Sequence, residues 1–194
     1  MSSKRWIQML VLLVMAPVIA ACQPVVAQPT TAASGEEKVL KFEVAEDGNR
    51  FVFTKERLFE DGMPQYGTPF VTQGYLYPEG TINGSNGVLA DGSPEFPDEV
   101  IGEWTCYGWM IGDGGHTESG VMVVSTQIYK FDEAHGNGIL VTDGFEIADL
   151  NVSVARAITS GTGTFKDMHG EQVQTLLGFT EQMGVNLTVE LKLE

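Results

Sequence analysis

The sequence predicts an all-β chain: an eight-stranded antiparallel closed barrel. Three observations predict it. Apolar and polar residues alternate with a period of two over most of the chain after residue 38. Those runs are bounded by clusters of Gly, Pro, Asp and Asn. Few stretches compete with helical spacing, and closing the sheet on itself removes the exposed edges that many short strands would otherwise leave.

The elements follow in order. Val39 to Glu46 places Leu40, Phe42 and Val44 on one face and Lys41, Glu43 and Ala45 on the other, and Asp47-Gly48-Asn49 is a turn. Arg50 to Thr54 resumes as a strand. Residues 55–68, with Gly62, Pro64 and Gly67, read as loop, and Phe70 to Tyr77 as a strand. Pro78 to Glu99 is the longest irregular stretch, either a lid over an opening or a surface excursion. Val100 to Ile111 is the most apolar strand. Its even positions, including Trp104, Cys106, Gly108 and Met110, suit a dry barrel interior. Its odd face carries Tyr107 and Trp109, more aromatic surface than free solvent requires. Strands follow over Gly120 to Phe131, Ile139 to Ala148 and Val152 to Thr159. The glycine-marked segment Ala157 to Glu171 comes next, with Phe165 as an apolar plug. A strand around Val173 to Thr180 and a final one from Val185 to Leu193 complete the chain.

Composition narrows the function. The 194 residues are 43% hydrophobic with 23 glycines and 8 prolines, suiting a turn-rich β domain. The formal charge of −15 disfavours nucleic acid and anionic lipid headgroups as partners. Residues 1–21 read as a bacterial export signal, with Lys4 and Arg5 ahead of an apolar core. Ile19-Ala20-Ala21-Cys22 resembles the lipobox of bacterial lipoproteins, which implies cleavage before Cys22 and acylation of its sulfur. An ordinary signal peptide with a chance cysteine is the alternative. Residues 22–37 form a flexible linker, and residues 38–194 the domain. The expected location is therefore the cell envelope, lipid-anchored and facing the extracytoplasmic side. Two acyl chains hold a protein on a bilayer stably where one does not.

With Cys22 so used, Cys106 is left unpaired, which leaves no disulfide framework. His116, His135 and His169 fall in Gly- or Asp-rich loops without metal-ligand spacing, so neither a metal nor another cofactor is expected. Gly161 to Lys166 lacks the ending of a phosphate-binding loop.

The order of features resembles the allene oxide cyclase and dirigent barrel superfamily. The matching residues are Pro69-Phe70 with Leu76-Tyr77; Ile101-Gly102 opening a strand that holds Cys106; Gln127-x-Tyr129-x-Phe131; Gly138 to Gly144; and Ala157-Ile158-Thr159-x-Gly161-x-Gly163-x-Phe165-x4-Gly170. The resemblance spans residues 38–194. It implies an eight-stranded barrel with an apolar cavity, often a homotrimer. The cyclases fold a fatty-acid epoxide into a cyclopentenone, and dirigent proteins hold phenoxy radicals or quinone methides for stereoselective coupling or closure. Cyclase positions carry over poorly. Glu43 matches the first-strand glutamate, but Ala45 stands where that motif has asparagine. The asparagine after Pro-Phe has no clear equivalent near Gln73 or Gly74. Gly108 takes the place of a cysteine, with Cys106 about 7 Å away along the strand. Glu146 takes the place of a tyrosine. One match in four argues against plant-type cyclisation.

Glu43 and Glu146 are the candidate catalytic pair: pointing inward against an apolar wall, one could act as general acid or base. Solvent exposure of both is the bland alternative. Trp104, Cys106, Gly108 and Met110 are the candidate ligand-binding residues, with Cys106 read as a small buried hydrophobe rather than a nucleophile. The leading expectation is a barrel that binds a small apolar molecule. The alternatives are a cyclase or isomerase acting on a reactive lipid or polyketide-like substrate, and a ligand-free structural barrel plugged by its own side chains.

Overall fold

The computed structural model describes residues 38–194; the expected export signal, Cys22 and the expected linker lie outside the described residues. Among the described residues nine strands form: β1 (Lys38–Glu46), β2 (Val52–Phe53), β3 (Pro69–Pro78), β4 (Gly102–Met110), β5 (Val121–Phe131), β6 (Ile139–Ile147), β7 (Ser153–Gly161), β8 (Gly170–Phe179) and β9 (Val185–Leu193). Their order is β1-β9-β8-β7-β6-β5-β4-β3, and β1 pairs back onto β3. The result is a closed eight-stranded antiparallel barrel with one short extra strand.

That extra strand corrects the expected Arg50 to Thr54 element, of which only Val52–Phe53 pairs. β1 takes the C-terminal half of β3, Phe42 opposite Pro78 through Glu46 opposite Gly74. β2 takes the other half, with Val52 opposite Val71. The single turn at Gly48–Arg50 therefore interrupts one long edge rather than starting a new wall.

The period of two sends Phe42 and Val44 of β1 inward with Trp104, Cys106 and Met110 of β4, and all five are buried in the main core. One end of the cylinder is plugged. Phe165 is 2% exposed and packs on Phe131 at a ring distance of 5.0 Å, while Phe42 stands edge-on to Phe131 and Tyr129. The plug is held by a 3₁₀ turn, Gly163–Phe165. Gly163 opens it at φ 61°, a conformation costly for a residue with a Cβ.

Residues 79–99 do not cover an opening. They lie as a strap on the outer wall of β1 and β3, around a small second core of Ala45, Tyr77, Ile82 and Val88. Tyr77 donates its hydroxyl to the Gly87 carbonyl at 2.6 Å, and the Asn186 amide donates to Asn86 O at 2.7 Å. Ile82 and Val88 supply the apolar anchors that attach the strap, spaced too irregularly to read as an element. On the outside of the barrel, Val71, Tyr107, Trp109 and Phe145 are exposed. No helix among the described residues is long and apolar enough to cross a membrane.

Candidate functional site

Opposite the plug, the barrel opens into a cavity of about 860 Å³. Its walls include Phe51, Phe53, Phe70, Trp104, Met110 and Met122, with Met63 and Met183 at the rim. Two loops frame the mouth. Gly115 donates its backbone N–H to the Pro64 carbonyl at 2.7 Å. The ring of His116 stacks on Phe59, 4.0 Å between centroids, and bonds Asp61 at 2.8 Å. That bond and the Met63 N–H hold the exposed Asp61 carboxyl below its ordinary pKa, the backbone N–H contributing most.

Two buried carboxylates line the cavity, Glu46 and Glu146. Glu46 is the next inward position of β1 after Phe42 and Val44. It accepts from the Thr72 hydroxyl and from the Val185 backbone N–H, the latter at 2.6 Å. Burial disfavours its charged form and the charge of Glu146 adds to this. Together they outweigh both hydrogen bonds, and its pKa is pushed up to about 7.

Glu146 sits on β6 with a different set of neighbours. It accepts from the Ser125 hydroxyl, the Cys106 thiol lies 3.5 Å away, and Arg156 Nη1 is 3.8 Å away. Arg156 is buried inside the barrel, donating to the carbonyls of Phe145, Ser125 and Thr142. Its route runs across Gly144, where a Cβ would stand 3.0 Å from Arg156 Cγ. Any larger residue would obstruct the side chain on its way from β7 to Glu146. A buried cation with three carbonyl acceptors and a carboxylate nearby is compensated by charge and by hydrogen bonding.

Below the carboxylates lies a polar ladder. Tyr129 donates to Gln127, and Gln172 donates to Gln127 and Gln174 at 2.9 Å each. Burial raises the Tyr129 hydroxyl well above its ordinary pKa, so it stays a neutral donor. The Trp104 indole N–H, Gln127 Nε2 and Thr142 Oγ1 are buried without a partner.

The candidate residues fall into two groups. Glu146, Trp104, Cys106 and Met110 line the cavity. Gly108 does not: it shares their face but has no side chain, and a Cβ there would clash with the Val124 carbonyl oxygen of β5. Glu43 does not reach the cavity either. Odd positions of β1 face outward, and Glu43 lies under the strap, accepting from the Ile82 N–H at 2.8 Å. It is nevertheless 4% exposed, and Glu146 5%, so neither is solvated. The buried pair in the cavity is Glu46 with Glu146. Glu46 was readable from parity: it continues the series Leu40, Phe42, Val44. Burial also raises the Cys106 thiol well above its usual pKa, which makes it a wall residue and a poor nucleophile.

Among the described residues, no group of three or more His, Cys, Asp or Glu side chains is placed to hold a metal ion. No family model matches the chain, and no curated protein does. Solved structures do match. A pterocarpan synthase dirigent protein aligns with a TM-score of 0.58 at 16% identity, covering 81% of this chain and 94% of its own. The fold is that of a dirigent-type barrel. A second pterocarpan synthase dirigent protein matches at TM-score 0.51 and 16% identity, over 86% of this chain and 93% of that one. A pyocyanin demethylase matches at 0.51 and 14% identity, over 81% of this chain and 100% of that one. In this dirigent-type barrel, as in the sequence reading, the glycine-marked β7–β8 hairpin supplies the plug and β4 supplies one wall.

Proposed function

We propose that this chain is an exported, lipid-anchored barrel that binds a small, largely apolar molecule in its cavity. The single observation that carries the reading is the cavity itself. About 860 Å³ lies within the usual range for ligand sites, and a mostly apolar lining with a few converging polar groups is their usual chemistry. It weighs against a barrel filled by its own side chains, since the plug occupies only one end. The names of the fold neighbours, a pyocyanin demethylase and pterocarpan synthases, support a barrel that handles small organic molecules.

Nile red, a neutral apolar dye, tests the binding. The expected result is saturable one-to-one binding with a blue-shifted emission, lost in Met122→Trp, which narrows the half-buried wall. Unsaturable binding, or binding unaffected by Met122→Trp, would overturn it. Anchoring through Cys22 predicts incorporation of labelled palmitate that Cys22→Ala removes; label retained in that variant refutes it. The homotrimer is proposed on the outer face, where Tyr107, Trp109 and Phe145 are exposed, and a monomeric mass by light scattering would remove it.

A second reading is favoured by one specific observation, the unlike settings of the two carboxylates. Glu46 holds a proton near neutrality, and Glu146 is backed by a guanidinium. The pair suits an isomerase or cyclase. Glu146 would accept a proton from carbon while Glu46 gives one to a carbonyl oxygen, and the reverse steps would return both protons to their donors. Hydrogen–deuterium exchange at C1 of β-tetralone in D₂O, followed by mass, is the probe. Exchange faster than buffer that falls to the buffer rate in Glu146→Gln supports this reading; equal rates in both proteins sink it.

A further inference from the structure

The charge around the cavity is one-sided. Glu46 and Glu146 line its interior, and Glu118 and Asp149 line it nearer the mouth. Among the described residues, no Lys, Arg or His side chain lines it. Arg156, the cation beside Glu146, stands behind it, with Nη1 and Nη2 turned to three backbone carbonyls and Nε buried without a partner. It therefore offsets Glu146, and its fully buried side chain does not line the cavity. Asp149 is fixed by the Ser119 hydroxyl at 2.7 Å and the Gly120 N–H at 2.6 Å, which hold its carboxyl below its ordinary pKa. Glu46 accepts two hydrogen bonds, and among the described residues no cation lies within ion-pair distance of it.

The apolar walls point the same way. Phe51 packs with Phe53 and with Phe70, each pair 5.4 Å between centroids, and Trp104 faces the same space. Aromatic faces attract delocalised cations, most strongly where water is excluded. Methionine sulfurs at positions 63, 110, 122 and 183 make favourable contacts with flat rings. A carboxylate ligand, including an ordinary fatty acid, would enter a low-dielectric space already holding like charge and no counter-ion.

We propose that the occupant of this cavity is a flat aromatic cation, held between the Phe51–Phe53–Phe70 cluster and Trp104 with the Glu46 carboxylate as its counter-ion. The proposal rests on the ligand-binding reading above and narrows it to a chemical class. Glu46 supplies the charge selectivity, and the rings supply the preference for planar molecules. Substrates with an anionic head are excluded by the same arrangement.

The test uses two fluorescent tricyclic probes of similar shape and opposite charge, 9-aminoacridine and anthracene-9-carboxylate. Both are titrated at pH 8 into the full-length protein, in salt high enough to screen the long-range field of the acidic surface. The cation should bind at least about tenfold tighter, equivalent to about 1.4 kcal/mol. In Glu46→Gln that ratio should fall to about threefold or less. Because the ratio compares two ligands on one protein, a general loss of binding cancels. Glu118→Gln, at the mouth, should lower it by no more than about twofold. Equal affinities in the wild type, tighter binding of the anion, or a ratio that survives Glu46→Gln would each overturn the proposal. Nile red separates the failures. If it saturates while the probe ratio is flat, the charge selectivity is wrong; if it does not bind at all, the cavity is not a binding site.

Discussion

The two ends of the barrel are built from the same strands and solve opposite problems. At the plugged end, Phe42, Phe131 and Phe165 interlock, with Leu140, Leu191 and Leu193 filling between them. At the open end the corresponding strand ends carry Glu46, Met110, Glu146 and Val185, and the space between them stays empty. The polar ladder of Gln127, Tyr129, Gln172 and Gln174 separates the two. Close packing at one end supplies stability, so that the other can carry buried carboxylates and an empty volume at its expense.

The largest expected effect tests that division. Phe165→Ala removes a fully buried ring and should cost about 3–5 kcal/mol in urea unfolding. Phe53→Ala, half-exposed beside the mouth, should cost less than about 1 kcal/mol. Equal costs would mean that the open end carries as much of the fold as the plug, and the contrast would break.

The next effect sharpens it through pH. The Glu46 carboxyl is raised from 4.5 to about 7 in the fold. Between those values the folded chain holds a proton that the unfolded chain has released. This contribution is thus fully present below about 4.5 and is lost as pH rises to about 7. The loss attributable to Glu46 is about 3 kcal/mol. Glu46→Gln cannot titrate, so the difference between wild type and variant should change with pH in that window and nowhere else. The aromatic and leucine packing of the plugged end contributes no such slope, and the ladder beside it is made of amides and a phenol that stays neutral. A difference that is flat from pH 4.5 to 7 would show that Glu46 is not desolvated as the structure has it.

Much of this was legible in the sequence, and the rule that made it so is parity. The period of two in Val100 to Ile111 assigns Trp104, Cys106 and Met110 to the cavity without any coordinates. Continued one step beyond Val44, it reaches Glu46. Two kinds of feature escaped it. A strap of irregular spacing hides which outward residues are covered, so Glu43 reads as either inward or solvated, although it faces outward and lies buried under Ile82. Register across strands is also invisible locally. Nothing near Arg156 or Glu146 in sequence shows that Gly144 leaves room for one to lie beside the other. Gly108 shows the opposite limit, since the right face without a side chain does not make a lining residue.

The smallest expected effect concerns two glutamates three residues apart on β1. Both are about equally buried, yet Glu43 faces the strap and Glu46 the cavity. Glu43→Ala leaves the Ile82 N–H buried without its 2.8 Å acceptor, a loss of about 1–2 kcal/mol. Most of that should appear locally. Amide exchange at Ile82 should quicken, and the strap should open more readily than the barrel, because its own core is small: Ala45, Tyr77, Ile82 and Val88 are buried, and the side chains packed around them are only partly so. Neither the pH slope assigned to Glu46 nor the preference for a cationic probe should move, since the β1 backbone and the barrel wall stand between the two carboxylates. If Glu43→Ala alters that slope, the inside and outside of the wall are coupled. The cavity chemistry would then have to be derived from both faces of β1 together.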